Sequence, residues 1–586
     1  MGSWVRELQR RNVLRAGILY ATSAWALAQG IASLGPTLGA PDFATRWFLM
    51  AAAIGFPFWI AFAWFYELTP EGIKRERDVD TDKSVLRATG RRLDFWIIGA
   101  LSVAVVLLLT DRFVRHDAGA AKPLVGEKSI AVLPLVNESG DSNALYFSDG
   151  LSEDFINALS QFPGLRVIAR SSSFQFRDSK DSVAVIGAKL GVAHLLEGSV
   201  QRAGDTVRIV AELINASDGS TLWSERYDRP YKDLFKVQDD ITDAVAAALK
   251  TRLLGGAAQP AQGDRPPSGN LAAYNALLEG QFYLHRFNEQ SEQKGVEAFQ
   301  EAVKIDPEYA QAWAGLAMAL QDVGYVQTDP AKMETKYKQA RAAADRASAL
   351  GPNLSVVHIA RGIILQYLDF DWNGAAAEFR RAAALAPGDV SPKSNLSVVL
   401  VTMGRTEEAV QLIRAALKID PLRAQFYADL ASYQLTLGRL PEAEQAMRRA
   451  IQLDPAGFNY YQELSFISIR RGDAQSALAE AQQESRQPYR DLNVALAMQI
   501  SPDRVAADAA LKNLIDKYAD IAAYQVGDAY AIRKDPDNMF KWLERAYVQK
   551  DPGLLGMTGD PFILPYHHDP RFAALCVKAK LPVPEN

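Results

Sequence analysis

The chain of 586 residues contains one cysteine, Cys576. A lone thiol excludes an internal disulfide and every multi-cysteine metal site. Histidine is scarce too, with six in all. The adjacent pair His567–His568 in PYHHDPRF has only Asp569 as a close acidic neighbour, and one adjacent pair cannot fill a tetrahedral metal site. That segment reads instead as a terminal cap carrying Phe562, Tyr566 and Phe572. There is no Gly-rich phosphate loop and no HExxH. The serine run ARSSSFQF (169–176) lacks the GxSxG context of a nucleophile and reads as a loop after a strand. Net charge is −5 with no concentrated basic patch, which argues against nucleic acid as a partner. No catalytic residue, cofactor or metal ligand is indicated, and the chain is expected not to be an enzyme.

What is present is apolar and patterned. Hydrophobic residues make up 48% and charged residues 23%, the balance of a folded chain with several domains. Three apolar stretches lie near the N-terminus. Residues 47–66, WFLMAAAIGFPFWIAFAWFY, hold no charge and match the length that spans hydrocarbon. Residues 95–110, FWIIGALSVAVVLLLT, and the softer 16–34, AGILYATSAWALAQGIASL, read as further spans. Lysine and arginine flank them unequally: Arg6, Arg10, Arg11 and Arg15 precede the first, only Arg46 lies in 35–46, and Lys74, Arg75, Arg77, Lys83, Arg87, Arg91 and Arg92 fill 67–94. The positive-inside rule then predicts a multi-pass bacterial inner-membrane protein with a cytoplasmic N-terminus and everything after about 114 in the periplasm. Residues 1–113 are thus expected to be a membrane domain and 114–127 a tether.

Residues 128–254 alternate between strand and helix patterns: SIAVLPL (129–135), a helix at 151–162, LRVIA (165–169), a helix at 182–192, a hairpin over 194–215 joined through AGD, a strand at 221–228 and a closing amphipathic helix from 235. The expectation is a small α/β domain with a mixed sheet. Its acidic stretch LPLVNESGDSNALYFSDGLSEDF (133–155) has two readings. Asp149 or Ser152 caps a helix beginning near 150, with Glu153 and Asp154 favoured by the helix dipole; or Glu138, Asp141, Asp149, Glu153 and Asp154 frame a pocket at the strand ends. Nothing spaced beside these acids forms an acid–base set, so capping is preferred.

The run NESGDSNALYFSDGLSEDFINALSQFPGLRVIARSSSFQF, then LGVAHLLEGSVQRAGDTVRIVAELINASDGSTLWSERYD, resembles the TolB-like domain found ahead of tetratricopeptide repeats in many proteobacterial membrane proteins. RRNVLRAGILYATSAWALAQ and FYELTPEGIKRE resemble the membrane part of the same group. The resemblance implies a sensory or partner-binding outer region. Relatives often carry an adenylate cyclase or CadC-type winged-helix domain, and neither is expected here.

The remainder is periodic. VKIDP ending at Pro307, ALGPN at Pro352, ALAPG at Pro387, LKIDP at Pro421 and IQLDP at Pro455 recur at intervals of 45, 35, 34 and 34 residues. A period of about 34 is the tetratricopeptide signature. With Pro455 as position 32, Leu430, Ala431, Gly438, Ala443 and Ala450 fall at positions 7, 8, 15, 20 and 27. Seven or eight units are expected within 271–552, with a cap at 553–586. The longer first interval predicts an insertion near 320–335 projecting as a contact loop. The linker GGAAQPAQGDRPPSGN (255–270) predicts that the α/β domain and the repeats reorient. The fold class is therefore membrane-anchored α+β: three N-terminal transmembrane helices, a TolB-like domain and an all-α repeat superhelix.

Positions 2, 5, 9 and 13 face the concave side of such repeats. They hold Gln425, Ala428, Ser432 and Thr436, then Asn459, Gln462, Phe466 and Arg470. Gln425, Ser432, Asn459, Gln462, Phe466 and Arg470 are the candidate partner-binding residues, Phe466 being the aromatic anchor of a groove suited to an extended peptide. The functional expectation is a non-enzymatic scaffold or sensory protein binding a protein or peptide partner; a homo-oligomer stays open. The alternative is a component of a signalling enzyme system working with a separate effector.

Overall fold

The computed structural model describes residues 17, 20–25, 27–28, 44–69, 72–75, 128–140, 145–162, 164–250, 265–284, 289–325, 327 and 329–584. The chain divides into two compact units, Met1–Pro123 and Leu124–Asn586.

In the first unit a helix covers Ala44–Phe65 and is followed by a short antiparallel pair, Tyr66–Thr69 with Gly72–Arg75. The Tyr20 hydroxyl donates to the Ala52 carbonyl at 3.0 Å. No helix among the described residues is long and apolar enough to cross a membrane. This overturns the expected three transmembrane helices and, with them, the multi-pass inner-membrane location with a periplasmic C-terminal region. The helix holds residues 47–65 of the charge-free run, takes Thr45 and Arg46 into its first turn, contains Pro57 and gives way to a strand at Tyr66. The expected span at 16–34 is described only in fragments. The span at 95–110 and the tether at 114–127 lie outside the described residues.

The second unit opens with a mixed sheet. Its strands are β1 (Ser129–Val132), β2 (Val136–Asn137), β3 (Arg166–Val167), β4 (His194–Ala203), β5 (Thr206–Asn215) and β6 (Thr221–Pro230). The order is β3-β1-β4-β5-β6, with β2 also pairing β4. β1 runs parallel to β3 and β4, while β4–β5 and β5–β6 are antiparallel. All four residues of β1 are buried, as its unbroken apolar run requires of a strand covered on both faces. β5 buries Val207, Ile209, Ala211 and Leu213 on one face, the period-two pattern of a half-covered strand. The edge strand β6 is mostly exposed and carries Glu225, Arg226, Asp228 and Arg229, charges that discourage pairing with another chain.

Helices α1 (Leu145–Ser160), α2 (Val183–Leu190) and α3 (Leu234–Lys250) flank this sheet. Sixteen more build the repeats in eight antiparallel pairs: α4 (Leu271–Leu284) with α5 (Glu289–Ile305), α6 (Ala310–Tyr325) with α7 (Pro330–Leu350), α8 (Ser355–Ile364) with α9 (Trp372–Leu385), α10 (Ser391–Thr402) with α11 (Thr406–Ile419), α12 (Ala424–Thr436) with α13 (Leu440–Leu453), α14 (Tyr460–Arg471) with α15 (Ala474–Ala481), α16 (Tyr489–Met498) with α17 (Arg504–Tyr518), and α18 (Ala523–Ile532) with α19 (Pro536–Gln549). The degenerate stretch 485–519 supplies the seventh pair. The extra residues near 320–335 do not project as a loop: they lengthen α7 to 21 residues, because AKMETKYKQARAAADRASAL has no interior breaker.

The α/β part and the repeats share cores. Tyr274 and Leu278 of α4 are buried with Phe147, Leu151, Val237 and Ile241 on one side of the sheet. On the other side Leu422 joins Ile168, Ile186 and Leu195. A Cβ on Gly150 would stand 2.6 Å from the Leu278 side chain, so glycine is what lets α1 and α4 approach. The reorientation expected across 255–270 is therefore replaced by a docked interface. A Gly/Pro-rich linker permits freedom by composition, but the apolar faces that close on either side of it remove that freedom.

Candidate functional site

The inner face of the repeats is lined by the first helix of each pair, and in the later pairs it is already occupied. The segment after α19 forms a turn at Pro552–Gly556, a further turn at Leu564–Tyr566 and a final helix, α20 (Pro570–Lys578). It runs back across the stack as a strap. Thr436 Oγ1 donates to the Gly559 carbonyl at 2.6 Å. An Arg470 guanidinium nitrogen donates to the Pro561 carbonyl. The Trp372 indole donates to the Lys580 carbonyl at 2.7 Å. Phe562 meets Phe466 edge-on at 5.0 Å and 76°. Met557, Ile563, Phe572, Leu575 and Cys576 are fully buried in the same cluster as the repeats. The strap is part of the core, and burial pushes the Cys576 thiol up to about 12, far from the thiolate state that makes a cysteine reactive.

This geometry sorts the six candidate residues. Phe466 and Arg470 stand together but face the strap; Phe466 is 7% exposed, so it is a packing residue and not a free anchor. Gln425 is exposed and donates to Asp429 Oδ1 at 2.8 Å. The Ser432 carbonyl lies 3.1 Å from Thr436 Oγ1, whose proton goes to the closer Gly559 carbonyl. Gln462 is half-buried on α14. Asn459 precedes α14 with φ +63° and a buried, unpartnered side-chain oxygen. Trp372, Tyr524 and Asp560 were missed by the sequence reading. The Gly-Asp-Pro-Phe run at 559–562 carried a signal of irregular backbone, but not of where it docks.

Under the strap the carboxyls are poorly compensated. Burial, then Asp560 and Asp429, pushes Glu463 up to about 7. Burial pushes Asp429 up to about 6, with Gln425 and Arg423 pulling the other way. Asp528 is raised well above the usual carboxylate range by burial and by Asp560 and Asp551. The Tyr524 hydroxyl donates to Asp560 Oδ2 at 3.1 Å. Among the described residues no group of three or more His, Cys, Asp or Glu is placed to hold a metal ion. The His567 and His568 rings lie 3.7 Å apart, tilted by 43°, and His567 Nδ1 lies 2.9 Å from the Leu564 carbonyl.

In the acidic stretch 133–155 Asp141 lies outside the described residues, and the described part departs from the capping reading. Helix α1 begins at Leu145, so Asp149 and Ser152 lie inside it and cap nothing. Ser152 Oγ accepts from the Leu135 amide at 2.9 Å and donates to the Ser148 carbonyl at 2.8 Å, tying the helix to the end of the first strand. Asp149 pairs with Arg177 at 2.5 Å and lies 3.7 Å from Arg170, which also reaches Glu153 at 3.2 Å. Its carboxyl is nonetheless raised, because burial outweighs both arginines. Asp154 accepts from Gln238 at 2.8 Å and from the Tyr274 hydroxyl, so it joins α1 to α3 and α4. These acids are structural ties.

The serine run is a docking element. It folds as a helical turn, Arg170–Ser173. Ser171 and Ser172 both donate to the fully buried carboxylate of Asp420, the acid of the repeat signature LKIDP. Ser172 Oγ also accepts from the Leu422 amide at 2.9 Å, Gln175 donates to the Leu422 carbonyl at 2.9 Å, and the Ala169 amide donates to the Ile419 carbonyl at 3.0 Å.

Two family models match parts of this architecture. Residues 395–458 match the tetratricopeptide repeat. Residues 126–244 match the HilA/YgeH-like transcriptional regulator, second domain, a description different from the TolB-like one the sequence suggested. The chain is 38% identical over 213 residues to Putative adenylate cyclase 3 of Rhizobium meliloti (strain 1021); the match covers 36% of this chain and 36% of that protein, so it spans about a third of the relative's length. Among solved structures, YrrB, described as a TPR protein with an unusual peptide-binding site, is 18% identical with a TM-score of 0.26, covering 37% of this chain and 99% of that one. PilF of Pseudomonas aeruginosa is 19% identical with a TM-score of 0.31, covering 38% and 95%. The repeat region is of the tetratricopeptide type, an interaction architecture whose members generally bind protein or peptide partners.

Proposed function

We propose that the chain is a non-enzymatic interaction scaffold in which the α/β part and the repeats act as one body that receives a protein or peptide partner on the inner face. The observation that carries this is the use made of Thr436, Arg470 and Trp372. All three side-chain donors are spent on main-chain carbonyls of a chain segment laid across the stack, which is the chemistry of a surface that reads extended peptide.

A second reading is supported by names alone: the proteins similar to residues 126–244 and to a third of the chain are a transcriptional regulator and a putative adenylate cyclase. Under that reading the chain is a regulatory component that works with a separate effector. One experiment addresses both. Purified full-length chain is incubated with ATP or GTP and Mg²⁺, and in cells a photo-crosslinking residue is placed at Tyr367 on the inner face or at Glu442 on α13. The scaffold reading expects no nucleotide turnover and a cross-linked partner from position 367 alone. Cyclic-nucleotide formation that is abolished by a substitution in the chain which leaves it folded would overturn it.

A further inference from the structure

The last described residues of the strap lie against Phe370, Trp372 and Gly404. Beyond them the inner face continues into the second and third repeats. One period per step, counting the repeat with the insertion, Asp322, Tyr367, Thr402, Thr436 and Arg470 hold the same place in successive units. The strap accepts hydrogen bonds from Thr436 and Arg470; Tyr367 is 36% exposed and Tyr325, beside Asp322 on α6, is 58% exposed. The two tyrosine rings meet edge-on at 6.4 Å and 68°. Tyr367 lies on a π-helical turn, Leu365–Asp369, that ends α8, a local widening often found at functional positions.

Both signs of charge occur here, but the cation Arg341 of α7 is engaged by a carboxylate. Asp322 has Glu292 of α5 as its charged neighbour, and burial with that neighbour pushes it up to about 6. The Tyr367 hydroxyl is raised by burial, by Tyr325 and by Asp322, which places the three within electrostatic reach. Tyr337 of α7 faces Tyr325. Asp369 is already spent on Arg341, at 2.5 and 2.9 Å. Two electron-rich rings beside an uncompensated carboxyl make a seat for a cation. The chain shows the same preference next door, where the Lys580 ammonium of the strap stands 5.6 Å from the Phe370 ring.

We propose that the open inner face around Asp322, Tyr325 and Tyr367 takes an extended lysine- or arginine-bearing segment of a partner protein, continuing the path of the strap. This rests on the scaffold reading and gives it a ligand chemistry. The probe is a fluorescein-labelled decapeptide of alternating lysine and serine, titrated with full-length chain at physiological salt and read by anisotropy. Saturable binding is expected. Asp322→Asn, and Tyr325→Ala with Tyr367→Ala, each weaken it about fivefold or more, on the scale of one cation–π or charge contact. Glu442→Gln, an exposed acid on α13, leaves it unchanged, and a glutamate–serine peptide does not bind. Binding strengthens from pH 5 to 7.5 as the Asp322 carboxyl ionises, and Asp322→Asn flattens that profile. Asp322→Asn is nearly isosteric, so it keeps the test open if the double tyrosine variant fails to fold.

Absence of binding, equal binding by the variants, an equal loss in Glu442→Gln or binding of the glutamate peptide would each overturn the proposal. A partner cross-linked from position 367 whose capture is indifferent to Asp322→Asn would leave the scaffold reading standing and remove this one. No cross-link from the inner face would remove the scaffold reading and, with it, the partner segment assigned here, whatever the peptide titration shows.

Discussion

Truncating Phe562 measures whether the strap is core or lid. Its ring is 5% exposed and meets Phe466, 7% exposed, edge-on at 5.0 Å. Removing a buried phenylalanine side chain costs about 3–5 kcal/mol through lost burial and the cavity left behind. Phe466→Ala is expected to cost a similar amount, because both rings belong to the same buried cluster. The double variant should cost less than the sum, by roughly 0.5–1.5 kcal/mol for the aromatic pair itself. Unfolding entropy near 2.1 cal/mol/K per residue makes that of the whole second unit about 1 kcal/mol/K, so a loss of 4 kcal/mol lowers its melting temperature by roughly 4 °C. Denaturant titration of the wild type, both single variants and the double variant closes the cycle. If Phe466→Ala left the midpoint unchanged, Phe466 would be an accessible groove residue and the strap a detachable cover. Strict additivity would refute the ring–ring contact.

Ser172→Ala removes the hydroxyl that joins Asp420 to the Leu422 amide and leaves a buried carboxylate short of one donor; a loss of about 2 kcal/mol is expected, with faster amide exchange at both 169–175 and 419–422. Glu463→Gln should stabilise the protein at pH 8 and change little at pH 5. The reason is that burial pushes the folded-state carboxyl up to about 7, above the ordinary glutamate value of 4.5: the favourable protonated form is complete below about 4.5, and its contribution is lost as pH rises towards 7, at about 1.4 kcal/mol per unit of pKa difference. Melting curves at the two pH values test the sign. The nucleotide-turnover assay and the lysine-peptide titration complete the set.

The chain's own order of residues determined the repeats. Proline, glycine and alanine recurring at fixed positions specify helix pairs because small residues are needed wherever helices touch and a breaker is needed wherever a unit closes. It also determined the strand and helix alternation of 128–254, since β1 and β5 carry the apolar patterns of a doubly covered and a singly covered strand. Helix beginnings were less legible: Asp149 has the chemistry of a cap, but α1 starts at Leu145 and uses that acid against Arg177. An apolar run also reports only composition. Residues 47–66 look long enough to span a bilayer, yet the helix there takes in Thr45 and Arg46 and stops at Phe65 where a strand begins, and no helix among the described residues is long and apolar enough to cross.

Tertiary structure alone decided what the concave face presents. Position 13 of a repeat points inward, but whether Arg470 and Phe466 meet a partner or the chain's own residues 559–562 depends on a contact between segments about a hundred residues apart. It likewise decided that Ser171 and Ser172 lock onto Asp420 across some 250 residues. Periodicity fixes which side of a helix is turned inward, because that is a local consequence of 3.6 residues per turn. What covers that side is set by long-range packing, which no local pattern encodes.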